Sequence, residues 1–337
     1  MRVLYIGQYD EGTTSKMRAD RLKFILKPGE FSVINTNIPF FRPNKVFRSI
    51  GFRYKVGPVI SAVNEYILSY INGAYDLIWV DKAIYITKKT TKFLKSCTNN
   101  LVHFTPDPAF TFHRSKHFNQ SGGLYDYLIT TKSYELDCYS DFSDSKVLLV
   151  TQGFEKGLHK PGVFAQKDVD VVFIGHYEKE RSRYISLLLN NGITVALAGI
   201  KWETFEAKHK GNSNLIYFGK GVYGTDYVKT LQKAKIAFGS VSKWVPEKHT
   251  TRTFEIPACG TALLTEWNEE IASFYEDDEV IYYRSEKEFV EKVKYFLANE
   301  EALKAVTKNG HQKVIQGGYD YESIMRKLLG QIFEKAI

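Results

Sequence analysis

Short apolar segments alternate with helix-like stretches along the first half of the chain. The apolar segments cover residues 3–6, 76–81, 101–104, 127–130 and 146–150, and helix-like stretches cover residues 17–26 and 87–96. Strands that alternate with helices predict a parallel α/β sheet. The loops at the carboxyl ends of such strands are the expected place for a functional site.

The same alternation begins again in the second half. Further strands are predicted at residues 169–174, 194–198, 215–218, 236–238, 261–264 and 280–283, and the first four of them each end at a glycine. We therefore predict an α/β protein with two Rossmann-like domains, residues 1–160 and 165–318, that face a central cleft. A final helix within residues 319–337 is expected to pack back toward the first domain. The fold alone also suits dehydrogenases, epimerases and periplasmic binding proteins.

Cysteine usage and hydropathy narrow the class of protein. The three cysteines, Cys97, Cys138 and Cys259, are far apart in the sequence. They form neither a disulfide framework nor a paired metal motif, which fits a reducing compartment. The first ten residues lack the apolar core of a signal peptide, and no apolar run is long enough to cross a membrane. We therefore expect a cytoplasmic protein.

Positive charge is concentrated in the first half of the chain. Residues 1–168 hold 23 Lys and Arg against 15 Asp and Glu, whereas residues 169–337 hold 23 of each. Within residues 38–71, Phe and Tyr alternate with Arg and Lys, and apolar residues at helical spacing follow. This pattern suits the interface of an anionic membrane, and it also suits nucleic acid. A core-facing helix beside a surface loop would produce the same pattern.

The most informative motif lies between residues 246 and 265. Glu247 and Glu255 are separated by seven residues, and Arg252 precedes Glu255 by one helical turn. Thr250 and Thr251 are placed to cap the start of this helix and are candidate ligands there. A helix N-terminus with an Arg favours a diphosphate, and a carboxylate one turn later can accept hydrogen bonds from ribose hydroxyls. A structural helix with an Arg–Glu surface pair is the alternative.

This motif, HTTRTFEIPACGTALLT at residues 249–265, resembles the signature of the CgeB-like, or spore maturation protein-like, family of glycosyltransferases. Further similar segments lie at residues 12–18, 126–132, 172–175, 274–284, 296–298 and 309–310. The resemblance covers nearly the whole chain and implies the GT-B fold. It also implies transfer of a hexose-type unit from a nucleoside-diphosphate sugar to a hydroxyl group, with the donor bound by the second domain and the acceptor by the first.

The resemblance implies roles for individual residues. In retaining GT-B families, the second of two Glu separated by seven residues meets the ribose, and the first meets the sugar or its phosphate. Glu255 and Glu247 occupy these positions. Arg252 would hold phosphate and help the diphosphate to leave. Tyr223 lies where such enzymes recognise the base. No metal and no cofactor besides the donor substrate is expected, because Arg and helix dipoles can neutralise the diphosphate.

Loops that follow strands supply more candidates for donor binding. Gly175 ends the strand at residues 169–174, and Arg181 lies shortly after it. A glycine lets a phosphate approach the backbone, and the next helix adds its dipole. Thr13 and Thr14 suit a loop that closes over phosphate, although a capped helix start would explain them as well.

Candidate acid–base residues lie in and just after the strand at residues 101–104, and the segment 103–107 is expected to reach the edge of the sheet at the cleft. His103 or Asp107 there could orient the transferred sugar or act as general base, with Asp10 as a rival base. A buried core histidine is the alternative for His103. Asp168 and Asp170 match a metal-binding motif of the other main glycosyltransferase fold, but they open a strand, so we expect no metal site.

The sequence as a whole therefore predicts a glycosyltransferase. Its acceptor is expected to be a glycan, a lipid-linked intermediate or another hydroxyl acceptor in cell-surface polysaccharide or glycoconjugate synthesis. Contact with the inner face of the cytoplasmic membrane through residues 38–71 is expected, and a nucleic-acid partner is not. One alternative is a nucleotide-sugar epimerase on the same fold. Another is a non-enzymatic module that binds a membrane or nucleic acid.

Overall fold

A computed structural model describes residues 1–142 and 144–334, which divide into two compact units. Unit 1 comprises residues 1–151 together with the chain from Tyr321 onward, and unit 2 comprises Gln152–Asp320. The division thus lies at Thr151, before the segment in which the sequence placed it.

Unit 1 is built on a six-stranded sheet with the order β2-β1-β3-β4-β5-β6, in which every neighbouring pair is parallel. The strands are Arg2–Gly7 (β1), Glu30–Asn35 (β2), Leu77–Asp81 (β3), Leu101–Thr105 (β4), Tyr127–Thr130 (β5) and Lys146–Leu149 (β6). All except β2 were predicted from the sequence. The helices are Thr14–Leu26 (α1), Asn37–Phe41 (α2), Lys45–Tyr54 (α3), Pro58–Tyr70 (α4), Lys88–Ser96 (α5) and Lys116–Ser121 (α6).

Unit 2 repeats the architecture with a second parallel sheet, in the order β12-β11-β10-β7-β8-β9. The strands are Val169–Ile174 (β7), Val195–Ala198 (β8), Leu215–Tyr217 (β9), Ala234–Phe238 (β10), Ala262–Glu266 (β11) and Ile281–Tyr283 (β12). The helices are Lys179–Asn190 (α7), Glu203–Lys208 (α8), Gly224–Lys233 (α9), Arg252–Ala258 (α10), Glu269–Ala272 (α11), Glu286–Ala298 (α12) and Glu300–Gln316 (α13). All six predicted strands of this half are present.

The last described helix, Tyr321–Phe333 (α14), packs against α1 in unit 1. Its apolar face joins the core cluster that includes Val3 and Leu22. None of the helices within residues 1–142 and 144–334 is both long and apolar enough to cross a membrane.

Both sheets are covered by helices, so their central strands are buried on both faces. All residues of β3 and β4 in unit 1 are buried, and so are those of β8 in unit 2. Because the strands of each sheet are parallel, the residues that follow them meet at one edge.

Candidate functional site

Gly175 follows β7 at the carboxyl edge of the unit 2 sheet. Its N–H donates to Ala198 O at 2.9 Å, and its carbonyl accepts the Trp202 indole N–H at 2.8 Å. A Cβ added at Gly199, where φ is +150°, would lie 1.8 Å from Gly175 O, so a side chain there would clash with the neighbouring backbone. A Cβ at position 175 would lie 3.8 Å from Arg252 Nη1. The structure therefore brings Gly175 and Arg252 together.

Arg181 lies in the first turn of α7 and is 2% exposed. Its Nη1 is 2.8 Å from the Glu178 carboxylate and donates to His176 O at 3.1 Å. The Glu178 carboxylate also accepts the backbone N–H of Lys243 at 3.2 Å. Burial, followed by the charge of Arg252, lowers the pKa of Arg181 to about 10. The two guanidinium groups are thus close enough to repel each other.

The Nε atoms of Arg181 and Arg252 are both buried without a hydrogen-bond acceptor in the part of the chain that the structure describes. A buried donor without a partner costs about 1–3 kcal/mol. A phosphate group would supply both acceptors and opposite charge, and the planar fork of Arg suits its oxygens. This pair is therefore chemically suited to hold a diphosphate.

Glu255 lies in α10 and is 6% exposed. Its Oε2 accepts the Tyr227 hydroxyl at 2.8 Å, and its Oε1 lies 3.7 Å from His159 Nε2. His159 Nδ1 accepts the backbone N–H of Glu155, so the ring proton lies on Nε2, which faces Glu255. Sequence reasoning missed Tyr227 and His159, because no spacing in the sequence relates either of them to Glu255. Together they fix the orientation of the carboxylate.

The start of α10 differs from the prediction. Thr251 occupies the N-cap with φ −55° and ψ −36° and makes no side-chain capping bond. The backbone N–H of Thr250 donates instead to Thr253 Oγ1 at 3.2 Å. The prediction of a capping Thr is wrong, because a capping side chain needs an extended N-cap backbone. Thr250 and Thr251 remain half-buried at the start of this helix, next to Arg252 in sequence.

Glu247 is half-buried on the loop between β10 and α10. It borders an open hollow of about 450 Å³, lined by residues 241–248 and 266–268. Its charge raises the pKa of Arg181, so the carboxylate lies within electrostatic reach of that guanidinium. Trp244, also on this border, is 60% exposed, and its ring lies 5.3 Å from that of His176.

Two aromatic residues are exposed after β9. Tyr223 is 72% exposed and occupies the N-cap of α9. Phe218, on the same loop, is 46% exposed. Both rings are therefore accessible for stacking on a planar base.

In unit 1, Thr13 and Thr14 form the start of α1. Thr13 Oγ1 accepts the backbone N–H of Lys16 at 3.2 Å and donates to Asp10 O at 2.7 Å. The structure thus shows the capped helix start that the sequence allowed as the alternative. The exposed carboxylate of Asp10 accepts a hydrogen bond from Asn35 Nδ2 at 2.9 Å.

His103 lies in the middle of β4 and is 2% exposed. Its ring stacks on Phe118 at 4.4 Å and lies 5.3 Å from the ring of Tyr125. Burial lowers its pKa to about 3, so it is neutral at physiological pH. The prediction that His103 reaches the sheet edge is wrong, because β4 continues to Thr105 and helices cover both faces.

Asp107 follows β4, with its carboxylate 2.6 Å from Lys82 Nζ and 3.4 Å from His113 Nδ1. Burial raises the pKa of Asp107, but the charges of Lys82 and His113 outweigh it and set the pKa at about 2. A carboxylate this acidic is a weak proton acceptor near neutral pH. The structure thus favours an ion-pair role over the general-base role expected for Asp107.

The Asp168–Asp170 motif lies at the amino end of β7, and Asp170 pairs with Lys235 at 3.0 Å. Within residues 1–142 and 144–334, no three His, Cys, Asp or Glu side chains are grouped so that they could hold a metal ion.

Residues 181–330 match the model of the glycosyl transferase-like family Glyco_trans_1_2. The match, over less than half of the chain, supports the predicted class of glycosyltransferase, and the CgeB-like subfamily stays a prediction. No curated protein sequence matches the chain.

Several solved structures resemble the chain over nearly its whole length. HepE of Anabaena, determined in complex with UDP and glucose, has a TM-score of 0.65 at 13% identity, over 99% of this chain and 100% of that one. A Rickettsia africae glycosyltransferase has a TM-score of 0.65 at 11% identity, over 99% and 98%. A UDP-forming α,α-trehalose-phosphate synthase of Burkholderia xenovorans has a TM-score of 0.67 at 10% identity, over 100% and 99%. These likenesses confirm the predicted GT-B fold class.

Proposed function

We propose that this glycosyl transferase-like protein transfers a sugar from a uridine diphosphate sugar to a hydroxyl group, and that unit 2 binds the donor. The pair of Arg181, which is buried, and Arg252, whose Nε is buried, carries the proposal, because Arg252 also lies next to Gly175. The choice of uridine is supported by HepE, determined with UDP and glucose, and by the UDP-forming trehalose-phosphate synthase.

In the proposed complex, Arg181 and Arg252 bind the diphosphate and Glu255 accepts a hydrogen bond from a ribose hydroxyl. Negative charge grows on the diphosphate as the bond to the sugar breaks. Arg181, which Glu178 already holds in place, and the neighbouring Arg252 would stabilise this charge. We therefore propose that they, and not a metal ion or a further cofactor, neutralise the leaving group.

Glu247 is proposed to contact the donor sugar, because it borders the hollow within electrostatic reach of Arg181. Tyr223 is proposed to stack on the base, with the exposed Phe218 as its neighbour on the same loop. The spacing of Glu247 and Glu255, with the resemblance to CgeB-like enzymes, supports transfer with retention of the anomeric configuration. The configuration of the product, determined by NMR, tests this point.

Unit 1 is proposed to bind the acceptor, in cell-surface polysaccharide or glycoconjugate synthesis. The excess of basic residues in the first half and the aromatic, basic segment at residues 38–71 support contact with the inner face of the cytoplasmic membrane. A glycan or lipid-linked hydroxyl is the acceptor that fits this location. Of the general-base candidates, Asp10 keeps an exposed carboxylate.

A nucleotide panel tests the donor site directly. The melting temperature is measured with UDP, GDP, TDP, CMP, ADP and NAD, and we expect UDP to raise it. A ligand at about 100 times its Kd adds about 2.7 kcal/mol to the stability of the native state. The shift should disappear in Arg252→Ala and Glu255→Gln.

Arg183→Ala is the matched control for this panel, because Arg183 is a 58% exposed arginine that pairs with Glu286. This variant should keep the full UDP shift. An undiminished shift in Arg252→Ala would contradict the assigned site, and a shift with NAD alone would favour a dehydrogenase.

A further inference from the structure

A cavity of about 260 Å³ is lined by residues of unit 1, and the proposed donor residues are not part of its lining. Its polar lining includes Gln8, Asn37 and Lys82, which follow strand ends, together with the Asp81 carboxylate and His113. Most of the remaining lining is apolar, and Val63 and Tyr85 are part of it. A mainly apolar pocket with a few polar groups is typical of a site for an organic ligand. Here the combination suits an amphiphile.

The helix α3 contributes Phe52 to the lining of the cavity. Little of its surface packs against the rest of unit 1. Of its ten residues, only Gly51 is buried, and a Cβ there would lie 2.7 Å from Val59 Cβ. Four large apolar side chains of α3 are 42–66% exposed, namely Val46, Phe47, Phe52 and Tyr54, and Ile50 is half-buried. Such a cluster of exposed apolar side chains marks a surface that meets a partner.

Cations lie among these rings. Lys45 and Arg53 on α3 are exposed, and residues 38–71 contain five basic residues against one acidic residue. The guanidinium of Arg48 lies 5.1 Å from the centre of the Phe41 ring. Rings that enter the headgroup region and cations that meet lipid phosphates are the chemistry of binding to an anionic bilayer. We define Phe41 and α3 as the basic aromatic surface.

Two residues belong to both features. Phe41 and Phe52 line the cavity, and they are also 57% and 44% exposed on the basic aromatic surface. The cavity is therefore bordered by the surface that suits a bilayer. An apolar chain that leaves such a bilayer could enter the cavity without exposure to bulk water, and its polar head would then lie near Asn37 and Lys82.

We propose that this cavity binds the lipid-proximal part of a membrane-borne acceptor, while the basic aromatic surface holds unit 1 on an anionic bilayer. The inference rests on the proposed transferase function and specifies its acceptor as an amphiphile. The apolar chain packs against Phe41, Phe52 and Val63, and the polar head reaches the strand ends, where Lys82 lies.

Binding to the cavity is tested on the full chain with two probes, octyl β-glucoside below its micelle concentration and methyl β-glucoside. Isothermal titration should detect binding of the octyl compound and none of the methyl compound. Phe41→Ala with Phe52→Ala should weaken binding by about tenfold or more. Phe93→Ala is the matched control, since Phe93 is 43% exposed on the lysine-rich α5 and does not line the cavity. Equal binding of both glucosides, or equal loss in the control, would overturn the proposal.

Binding to the bilayer is tested by flotation with vesicles of phosphatidylcholine, with and without phosphatidylglycerol. The protein should float only with the anionic vesicles, and Lys45→Glu with Arg53→Glu should abolish flotation. Lys88→Glu with Lys92→Glu makes the same charge change on α5 and should float as the wild type does. If both double variants lose flotation equally, binding to the vesicles depends on net charge alone, and the assignment of the basic aromatic surface is overturned.

The outcomes separate this proposal from the donor site. Arg252→Ala should still bind octyl β-glucoside, and the Phe41→Ala, Phe52→Ala variant should keep the UDP shift in melting temperature. If UDP does not raise the melting temperature of the wild type, the donor proposal alone is refuted. If UDP raises it but octyl β-glucoside does not bind, the acceptor proposal alone is refuted.

Discussion

At the scale of single residues, the proposed donor site depends on side chains that orient other side chains. Tyr227 donates to Glu255 at 2.8 Å, and His159 directs its Nε2 proton at the same carboxylate. A ribose ligand would meet a carboxylate whose direction is already set. Affinity should therefore depend on Tyr227, although it is not itself proposed to touch the nucleotide.

Tyr227→Phe tests this dependence. Removal of one hydrogen bond to a charged group costs about 1 kcal/mol or more, so we expect UDP to bind about fivefold more weakly in calorimetry. Tyr217→Phe in the same unit is the control, because the buried Tyr217 hydroxyl has no hydrogen-bond partner among the described residues. Unchanged affinity in Tyr227→Phe would show that the hydroxyl does not position Glu255.

A buried lysine gives a prediction about pH. Lys167 is 8% exposed, and its Nζ donates to Gln232 O, Ala234 O and Thr261 Oγ1 at 3.0, 2.8 and 3.1 Å. Burial lowers its pKa to about 8, whereas the unfolded chain has a value near 10.4. Between these values the unfolded state binds more protons, so this residue adds stability as the pH rises.

The measurement is the free energy of unfolding in urea between pH 7 and pH 10, for the wild type and Lys167→Met. The difference, wild type minus variant, should grow above pH 8 with a slope of at most about 1.4 kcal/mol per pH unit. A difference that stays constant or falls with pH would contradict a depressed pKa at this lysine.

Sequence reasoning found residues that follow a pattern and missed those that depend on contacts through space. Gly175, Arg181 and Arg252 were identified from a strand end and a motif, and the structure brings them together. Tyr227 and His159 were missed because folding alone places them at Glu255. His103 was assigned to the sheet edge, but it lies in the middle of β4, where every residue is buried.

At the scale of elements, α10 shows how a proline changes the backbone hydrogen bonding of a helix. Pro257 lies in the second turn and has no N–H to donate to Thr253 O, four residues earlier. The hydroxyl of Tyr275, which is buried, donates to that carbonyl at 2.8 Å. Tyr275 therefore satisfies a backbone group that the proline leaves open.

A double-mutant cycle tests this relation. Tyr275→Phe alone should cost about 1–3 kcal/mol, because a buried carbonyl loses its donor. In the background of Pro257→Ala, the new backbone N–H can reach Thr253 O, so the same substitution should cost less. Urea unfolding of the four proteins gives the coupling free energy, which should be about 1 kcal/mol. Additive effects would contradict the assigned role of Tyr275.

The strand β2, which the sequence pattern did not predict, shows the limit of hydrophobic patterns in finding strands. β2 has the sequence EFSVIN, and only one of its six residues is buried, because it lies at the edge of the sheet. Interior strands such as β3 and β7 are apolar runs, since helices cover both of their faces. An edge strand has no such requirement, so its sequence carries a weaker signal.

At the scale of the whole molecule, the two-unit organisation followed from the repeated alternation, but the boundary did not. The sequence predicted a boundary between residues 160 and 165. In the structure Phe154 is fully buried in a core cluster of unit 2, and its N–H donates to Tyr319 O at 3.2 Å. A few apolar anchors therefore decide which unit a polar segment joins, and composition alone does not reveal them.

The last helix offers a test of the two-unit organisation. Leu328 in α14 and Leu303 in α13 are both buried, yet they belong to core clusters of different units. Leu→Ala at either site should cost about 2–5 kcal/mol. Local unfolding is largely confined to the unit that loses packing, so the two variants should expose different backbone amides to exchange.

Hydrogen exchange with mass spectrometry distinguishes them. In Leu328→Ala, exchange should increase in peptides from β1 and α1, although these lie some three hundred residues earlier in the chain, and peptides from β7 and β10 should stay protected. Leu303→Ala should reverse the pattern. If Leu328→Ala instead increased exchange mainly in β7 and β10, the helix would stabilise unit 2, and the assignment of the chain from Tyr321 onward to unit 1 would be wrong.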